Sequence, residues 1–284
     1  MGSLLEGGKF ATRMSDLASQ KILLVGATSM LGRAVSAETR HGFSLDAISH
    51  RQIADVDFGA YDTVVNMAYD PRYTREAYDT ELDFDRKVAA LVARSGAHFV
   101  MMSTRKVYGA AGREPIPETA PTEPIDNYGR NKLRTESEIL GLLGDRCTIL
   151  RLSNAFWFEP GRHTFFGIAL ENLRREKRII LDVNPFVRKD FFPLPECAAG
   201  IVSVLRKKPS GIFNLGYGTA TEVGRIAMWL IEGYAEGELL VTSTEERDGF
   251  LLDNSKLCAL VDIPKPSRSI RDYCVEIGKR LRNA

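Results

Sequence analysis

The sequence predicts an α/β fold: a doubly wound parallel sheet, with a smaller C-terminal lobe interleaved with returning elements of the sheet. Three observations predict it. From Lys21 onward short apolar runs alternate with amphipathic stretches, as parallel strands joined by helices do. The first run, Ile22-Leu23-Leu24-Val25, opens into a glycine-bearing turn, Gly26-Ala27-Thr28-Ser29-Met30-Leu31-Gly32. A later run, Phe99-Val100-Met101-Met102, ends in Ser103-Thr104, which places hydroxyls at the tip of a buried strand.

Taken in order, Lys21 to Val25 is the first strand and Gly32 to Arg40 the helix after it. Leu45 to Ser49 and Thr63 to Ala68 are the next strands; only about fourteen residues separate them, so the usual intervening strand and helix are shortened or lost. Leu82 to Ser95 is a helix, because Phe84, Val88, Leu91 and Val92 recur at helical spacing. His98 to Ser103 is a strand, Asn127 to Leu143 a helix and Thr148 to Leu152 a strand. Beyond Asn154 the alternation weakens. Ile168 to Lys177 and Glu196 to Leu205 read as helices around a Pro-broken stretch at Phe191 to Pro195. Gly211 to Leu215 reads as a strand, and Glu222 to Glu232 and Ile270 to Leu281 as helices. The division expected is a flexible leader at 1–20, a nucleotide-binding core at 21–155, and a substrate lobe at 156–284 interleaved with core elements.

Composition narrows the function. A net charge of +1 gives no bulk attraction to nucleic acid or to an anionic membrane. No apolar stretch approaches the ~20 residues that span a bilayer. Cys147, Cys197, Cys258 and Cys274 are scattered without metal-ligand spacing, so reduced thiols in a cytoplasmic protein are expected, and no metal.

A strand, a Gly-rich turn and a helix aim backbone N–H groups and a helix dipole at one spot, which suits a pyrophosphate. This is the Rossmann-type arrangement, here with Ser29 where the middle glycine usually stands. At the end of the second strand a carboxylate suits a ribose 2′-hydroxyl and an arginine a 2′-phosphate. The chain reads Ser49-His50-Arg51 there, with no carboxylate before Asp55, and Arg33 follows Gly32 directly. Guanidinium matches phosphate bidentately, so NADP(H) is expected over NAD(H).

Tyr128 and Lys132, four residues apart, share one face of a helix. A free phenol ionises near pH ~10. A cation one turn away is expected to lower that value, letting Tyr128 give a proton to a carbonyl oxygen as hydride reaches its carbon. Thr104 would donate to the same oxygen. The spacing alone is common on solvated helices; the order of turn, hydroxyl-ended strand and Tyr-Lys helix distinguishes it.

Several segments together carry a family resemblance: Gly26 to Gly32, Asn66-Met67-Ala68-Tyr69, Ser103-Thr104-Arg105-Lys106-Val107-Tyr108-Gly109, Tyr128-Gly129-Arg130-Asn131-Lys132, Leu150 to Asn154, and Gly211 to Gly216. From Lys21 on, the chain resembles the extended short-chain dehydrogenase/reductases, the epimerase/dehydratase group, and within it nucleotide-sugar 4-ketoreductases of the dTDP-4-dehydrorhamnose reductase type. The resemblance implies a catalytic set of Thr104, Tyr128 and Lys132. It implies a cofactor set of Gly26, Thr28, Ser29, Met30, Leu31, Gly32, Arg33, His50, Arg51, Asn66, Met67 and Ala68, with Tyr128 and Lys132. Thr104 and Asn154 would meet a nucleotide-sugar substrate, and Arg188 is a candidate for its phosphate. A homodimer is admitted, since the Phe84–Val92 stripe serves either as core or as a dimer face like the family's.

Departures sharpen the reaction. Dehydratases of the group carry Asp-Glu after the catalytic Thr; Arg105-Lys106 stand here, and two cations cannot eliminate water. A 4-ketoreductase is expected, with a 4-epimerase and a non-catalytic NAD(P)-binding regulator as the alternatives. His163 and the run Arg174-Arg175 read first as solvated charges, while Trp157 and Phe158 serve equally as a stacking platform or as core.

Overall fold

A computed structural model of the chain describes residues 20–39, 43–110 and 115–284. The expected leader lies outside these residues, Gln20 excepted. Strand β1 (Lys21–Val25) leads through the turn to helix α1 (Met30–Glu38), and β2 (Ser44–Ile48) follows. Two short 3-10 turns, His50–Asp55 and Phe58–Ala60, replace the shortened strand and helix before β3 (Thr63–Asn66). Then come α2 (Phe84–Val92), β4 (His98–Thr104), α3 (Asn127–Leu143) and β5 (Cys147–Leu152).

After β6 (Asn154–Phe156), α4 (Phe165–Glu176), β7 (Arg178–Leu181) and β8 (Arg188–Pro193), the chain returns to the main sheet through α5 (Leu194–Lys207) and β9 (Gly211–Leu215). It ends in the second lobe with β10 (Ala220–Glu222), α6 (Val223–Tyr234), β11 (Glu238–Val241) and α7 (Ile270–Arg282).

The main sheet has six strands in the order β9-β5-β4-β3-β1-β2, every neighbouring pair parallel. Its central strands are apolar throughout because helices cover both faces. Ile22 and Leu24 point to one face with Val35 of α1 and Ile201 and Val204 of α5. Leu23 and Val25 point to the other with Val88 and Val92 of α2 and Ile139 of α3. Each such fully buried side chain stabilises the fold by roughly 1.5–3 kcal/mol. Val88 and Val92 of the α2 stripe are buried in this core, and the half-buried Phe84 and Leu91 pack against it. β1 pairs with β2 on one side and β3 on the other, so the connections diverge there and leave a crevice at the carboxyl ends of the strands.

The second lobe has its own core of Phe156, Phe166, Phe191, Leu230 and Ile277, with Phe156 and Phe166 stacked at 4.1 Å. The stretch that reads as Pro-broken continues β8 to Pro193; Pro195 then falls in the first turn of α5, where a missing N–H is harmless.

Candidate active site

Thr104 ends β4, and its hydroxyl caps the next turn by accepting from the Lys106 N–H at 3.3 Å. Helix α3 begins at Asn127 because the Asp126 carboxylate accepts from the Gly129 N–H at 2.8 Å. Gly129 lets the helix press against the turn after β4: a Cβ there would stand 2.5 Å from the Lys106 carbonyl oxygen. That close approach carries Tyr128 to the tip of β4. The result is a cleft of about 310 Å³ lined by Thr104, Tyr128 and Lys132. Ser29, Met30 and Leu31 from the turn and Asn66, Met67 and Ala68 from the end of β3 form its other wall, and Asn154 lies at its margin.

The cofactor turn fits a dinucleotide. Gly26 has φ +94°, and a Cβ there would lie 2.6 Å from the Ala68 nitrogen. Ser29 caps α1, and the first turn of that helix holds no acidic residue to oppose a phosphate. Arg33 donates to the Thr28 carbonyl at 2.5 Å and lies 3.9 Å from Glu159 of the second lobe. Its side chain is otherwise largely exposed. His50 and Arg51 stand exposed beyond β2, in a turn capped by Ser49 and Gln52.

The electrostatics of the reacting centre depart from expectation. Lys132 is buried, its Nζ 2.5 Å from Asp85 Oδ2, and it also donates to the Met102 carbonyl at 2.8 Å. Burial pushes its ammonium down, but Asp85, Tyr128 and Asp83 outweigh burial and hold it above its ordinary value. The Tyr128 phenol is not lowered: burial pushes it up, Lys132 pulls it down, and Asp85, Tyr69 and Asp126 add to the upward push. The expected lowering is outweighed chiefly by burial of the phenol, against which Lys132 pulls.

Residues 20–184 match the model of the RmlD substrate binding domain family. The chain belongs to that family. It is 32% identical over 216 residues to the dTDP-4-keto-6-deoxy-D-glucose reductase of Streptomyces niveus, covering 68% of this chain and 71% of the relative. The fold is shared with the UDP-N-acetylglucosamine 4-epimerase of Methanobrevibacter ruminantium M1, solved with UDP-N-acetylmuramic acid, at a TM-score of 0.77 and 14% identity over 92% of this chain and 98% of that one. It is shared too with RMD of Pseudomonas aeruginosa complexed with NADPH, at 0.74 and 17% identity over 93% and 99%. The RmlD-family chain is an NAD(P)-dependent oxidoreductase of the extended short-chain dehydrogenase/reductase type, and the α/β, Rossmann-type sheet read from its sequence is the fold it has.

In this RmlD-family protein a second cleft of about 530 Å³ adjoins the first, sharing Met30, Lys106, Asn154 and Arg162. Five cations, Arg105, Lys106, Arg162, Lys189 and Arg247, line it with three carboxylates, Glu159, Asp182 and Asp248, and each cation is paired with a carboxylate. Arg105 is buried over the Phe250 ring and paired with Asp248 at 2.6 Å, while Lys106 pairs with Asp126 at 2.6 Å. Neither can serve as a dehydratase acid or base.

Arg188 is not among these residues. It lies at the start of β8, donates to the Ala220 carbonyl at 2.9 Å and borders a separate depression, while its neighbour Lys189 lines the second cleft. The side chain alternates along a strand, so of two adjacent cations only one faces inward. Trp157 lines this cleft and also meets Tyr273 edge-on at 5.9 Å. His163 is exposed on the cleft wall; Arg174 and Arg175 pair with Glu171, as a charged helix end does.

Sequence reasoning missed Asp85. The signal was present: Asp85, Val88, Ala89 and Val92 repeat at helical spacing and are all buried, so a carboxylate occupies a core-facing position. Ser103, beside Thr104, donates to Glu136 at 2.5 Å, which in turn pairs with Arg151 at 2.7 Å. Among the described residues no group of acids, histidines and cysteines suits a metal ion, and no helix is long and apolar enough to cross a membrane.

Proposed function

We propose that the protein reduces a keto group on a nucleotide-linked sugar with NADPH. The observation that carries this reading is the meeting of Thr104, Tyr128 and Lys132 in one cleft that runs into a cation-lined second cleft. The turn after β1 suits the pyrophosphate of the dinucleotide, whose reduced ring supplies hydride when bound. Lys132 keeps one N–H free after Asp85 and Met102, enough to grip a ribose hydroxyl. Thr104 donates to the keto oxygen, and Tyr128 delivers the proton that completes the alcohol. Arg162, Lys189 and Arg247 face the diphosphate and Asn154 the sugar. We infer that domains divide near 155, with the second lobe shaping the sugar site. The four unpaired cysteines support a cytoplasmic location.

Incubation with NADPH and dTDP-4-keto-6-deoxy-D-glucose, the sugar named for the Streptomyces niveus relative, tests the reading by loss of reduced-nicotinamide absorbance. Net consumption is expected. With a nucleotide sugar that carries a 4-hydroxyl instead of the 4-keto group, inversion at that carbon without net consumption points to a 4-epimerase, and cofactor binding with neither reaction points to a regulator. Arg51→Ala is expected to weaken NADPH about tenfold more than NADH, a difference of ~1.4 kcal/mol. Equal losses for the two cofactors remove Arg51 from the 2′-phosphate.

A further inference from the structure

We propose that Arg162, a residue of the second lobe, is a ligand of the cofactor's pyrophosphate, and that Glu159 is the carboxylate the pyrophosphate displaces from it. The inference rests on the first cleft taking NAD(P)H and is independent of which sugar is reduced. Arg162 lies between β6 and α4, on a loop that the sequence shapes tightly. Pro160-Gly161 turns the chain, with Gly161 at φ +79°, and the Gly161 N–H donates to the Gly167 carbonyl at 3.1 Å. The Thr164 N–H donates to the Arg162 carbonyl at 2.8 Å, and the Thr164 hydroxyl caps α4 by accepting from the Gly167 N–H at 3.1 Å. Gly167 has no room for a Cβ against the Arg162 carbonyl oxygen, so the loop is pressed onto the first turn of the helix. The backbone of Arg162 is thereby fixed on one lobe while its guanidinium reaches the other.

Arg162 Nη1 lies 3.9 Å from the sulfur of Met30, the first residue of α1, and Nη2 donates to the Tyr69 hydroxyl beyond β3 at 3.4 Å. Met30 and Tyr69 both line the first cleft. Of the five cations around the second cleft, only Lys106 and Arg162 also line the first. Lys106 stands over the Tyr128 ring, whereas Arg162 stands at the phosphate turn. Glu159 lies between two guanidiniums. Its Oε2 meets Arg162 Nη1 at 2.6 Å, and its Oε1 lies 3.9 Å from Nη2 of Arg33, which is tied to the Thr28 carbonyl in the turn. Two guanidiniums thus face the turn with one carboxylate between them, and the N-terminus of α1 adds partial positive charge.

A pyrophosphate brings two negative charges to this turn and competes with a single carboxylate. The side chains of Arg162 and Glu159 are 39% and 28% exposed, and exposed pairs of this kind are weak. Glu159 meets Arg162 through one oxygen, whereas a phosphate engages the guanidinium fork with two. The exchange therefore favours the dinucleotide. Once made, it ties the lobes together through the cofactor, with the backbone N–H groups of the turn on one side and Arg162 on the other.

Titrations with NADPH and with NADH, followed by the fluorescence of the bound reduced ring, test this without any sugar. Arg162→Ala is expected to weaken both cofactors by the same factor, about tenfold, because both carry the pyrophosphate. Arg162→Lys recovers part of the loss, as a point charge in place of a fork. Glu159→Gln is expected to tighten both cofactors about threefold, since the competing charge is gone and the side chain keeps its size. Hydrogen exchange gives a reading that a merely structural role does not move. At cofactor concentrations that saturate both proteins, NADPH is expected to slow the amides of 159–167 in the wild type and not in Arg162→Ala. Unchanged affinities in a folded Arg162→Ala overturn the proposal, and so does a loss confined to NADPH, which places the guanidinium at the 2′-phosphate instead. If Arg162→Ala does not fold, Glu159→Gln decides, and a cofactor affinity no better than wild type overturns it. Affinities that shift as expected in a protein that leaves keto sugars unreduced uphold the role of Arg162 and sink the reductase reading instead.

Discussion

Tyr128→Phe lowers NADPH-dependent turnover by about 10²- to 10⁴-fold, the span a positioned general acid contributes, and leaves NADPH affinity within a few-fold. The phenol oxygen is the atom lost, and the ring remains to fill its place beside Lys132 and Lys106. No neighbour substitutes for it. Thr104 donates a hydrogen bond, yet a hydroxyl of its kind does not ionise near neutral pH. Asp85 lines the same cleft, but its oxygens are committed to Asn66 and Lys132. Steady-state rates and a cofactor binding titration on the same preparation check this. Near-normal turnover would falsify the role of Tyr128.

Lys132→Met strikes activity and stability together. The thioether fills the space of the lysine stem, but Asp85 then lies buried without its cation. Breaking a buried pair in this way costs about 3–5 kcal/mol. The cost depends on pH. Burial is the largest influence on the Asp85 carboxyl and pushes it up; in the wild type Lys132 pulls against that push. Without Lys132 the folded-state value rises further above the unfolded one, so the folded variant holds a proton that the unfolded chain releases. Stability is then retained below the unfolded carboxylate value near ~4 and lost as pH rises through the folded one. The gap in Tm between wild type and Lys132→Met is expected to be small in mild acid and to widen toward neutral and alkaline pH. A gap that narrows with rising pH contradicts the assignment of Asp85 as the unpaired charge. Turnover should fall by at least the factor expected for Tyr128→Phe, since the ribose grip is lost as well.

Some elements were legible because their signals are local. Helix α3 has its observed bounds in the sequence because Asp126 caps one end and Gly144 stops the other. β9 is equally plain, a short apolar run begun by a glycine and placed next to the core strand β5. β2 was displaced by one residue, because an edge strand with exposed Ser44 and Asp46 lacks the continuous apolar run of its neighbours. At β8 two prolines suggested a break, and pairing with β6 and β10 kept the strand. Arg188 and Lys189 were indistinguishable as neighbours in the sequence; the strand turned only Lys189 toward the second cleft. Asp85 went unread because attention to an apolar stripe passes over the one polar residue within it.

The alternation of strands and helices, the glycine turn and the Tyr128–Lys132 pair were determined by the sequence alone, since each depends on residues a few positions apart and on periods of two or four. Tertiary structure decided the electrical setting of these residues and the paired charges that line the second cleft. Lys132 and Asp85 lie 47 residues apart, on different helices. Charge acts through space, and no short-range pattern along the chain records which carboxylate comes to rest against which amine.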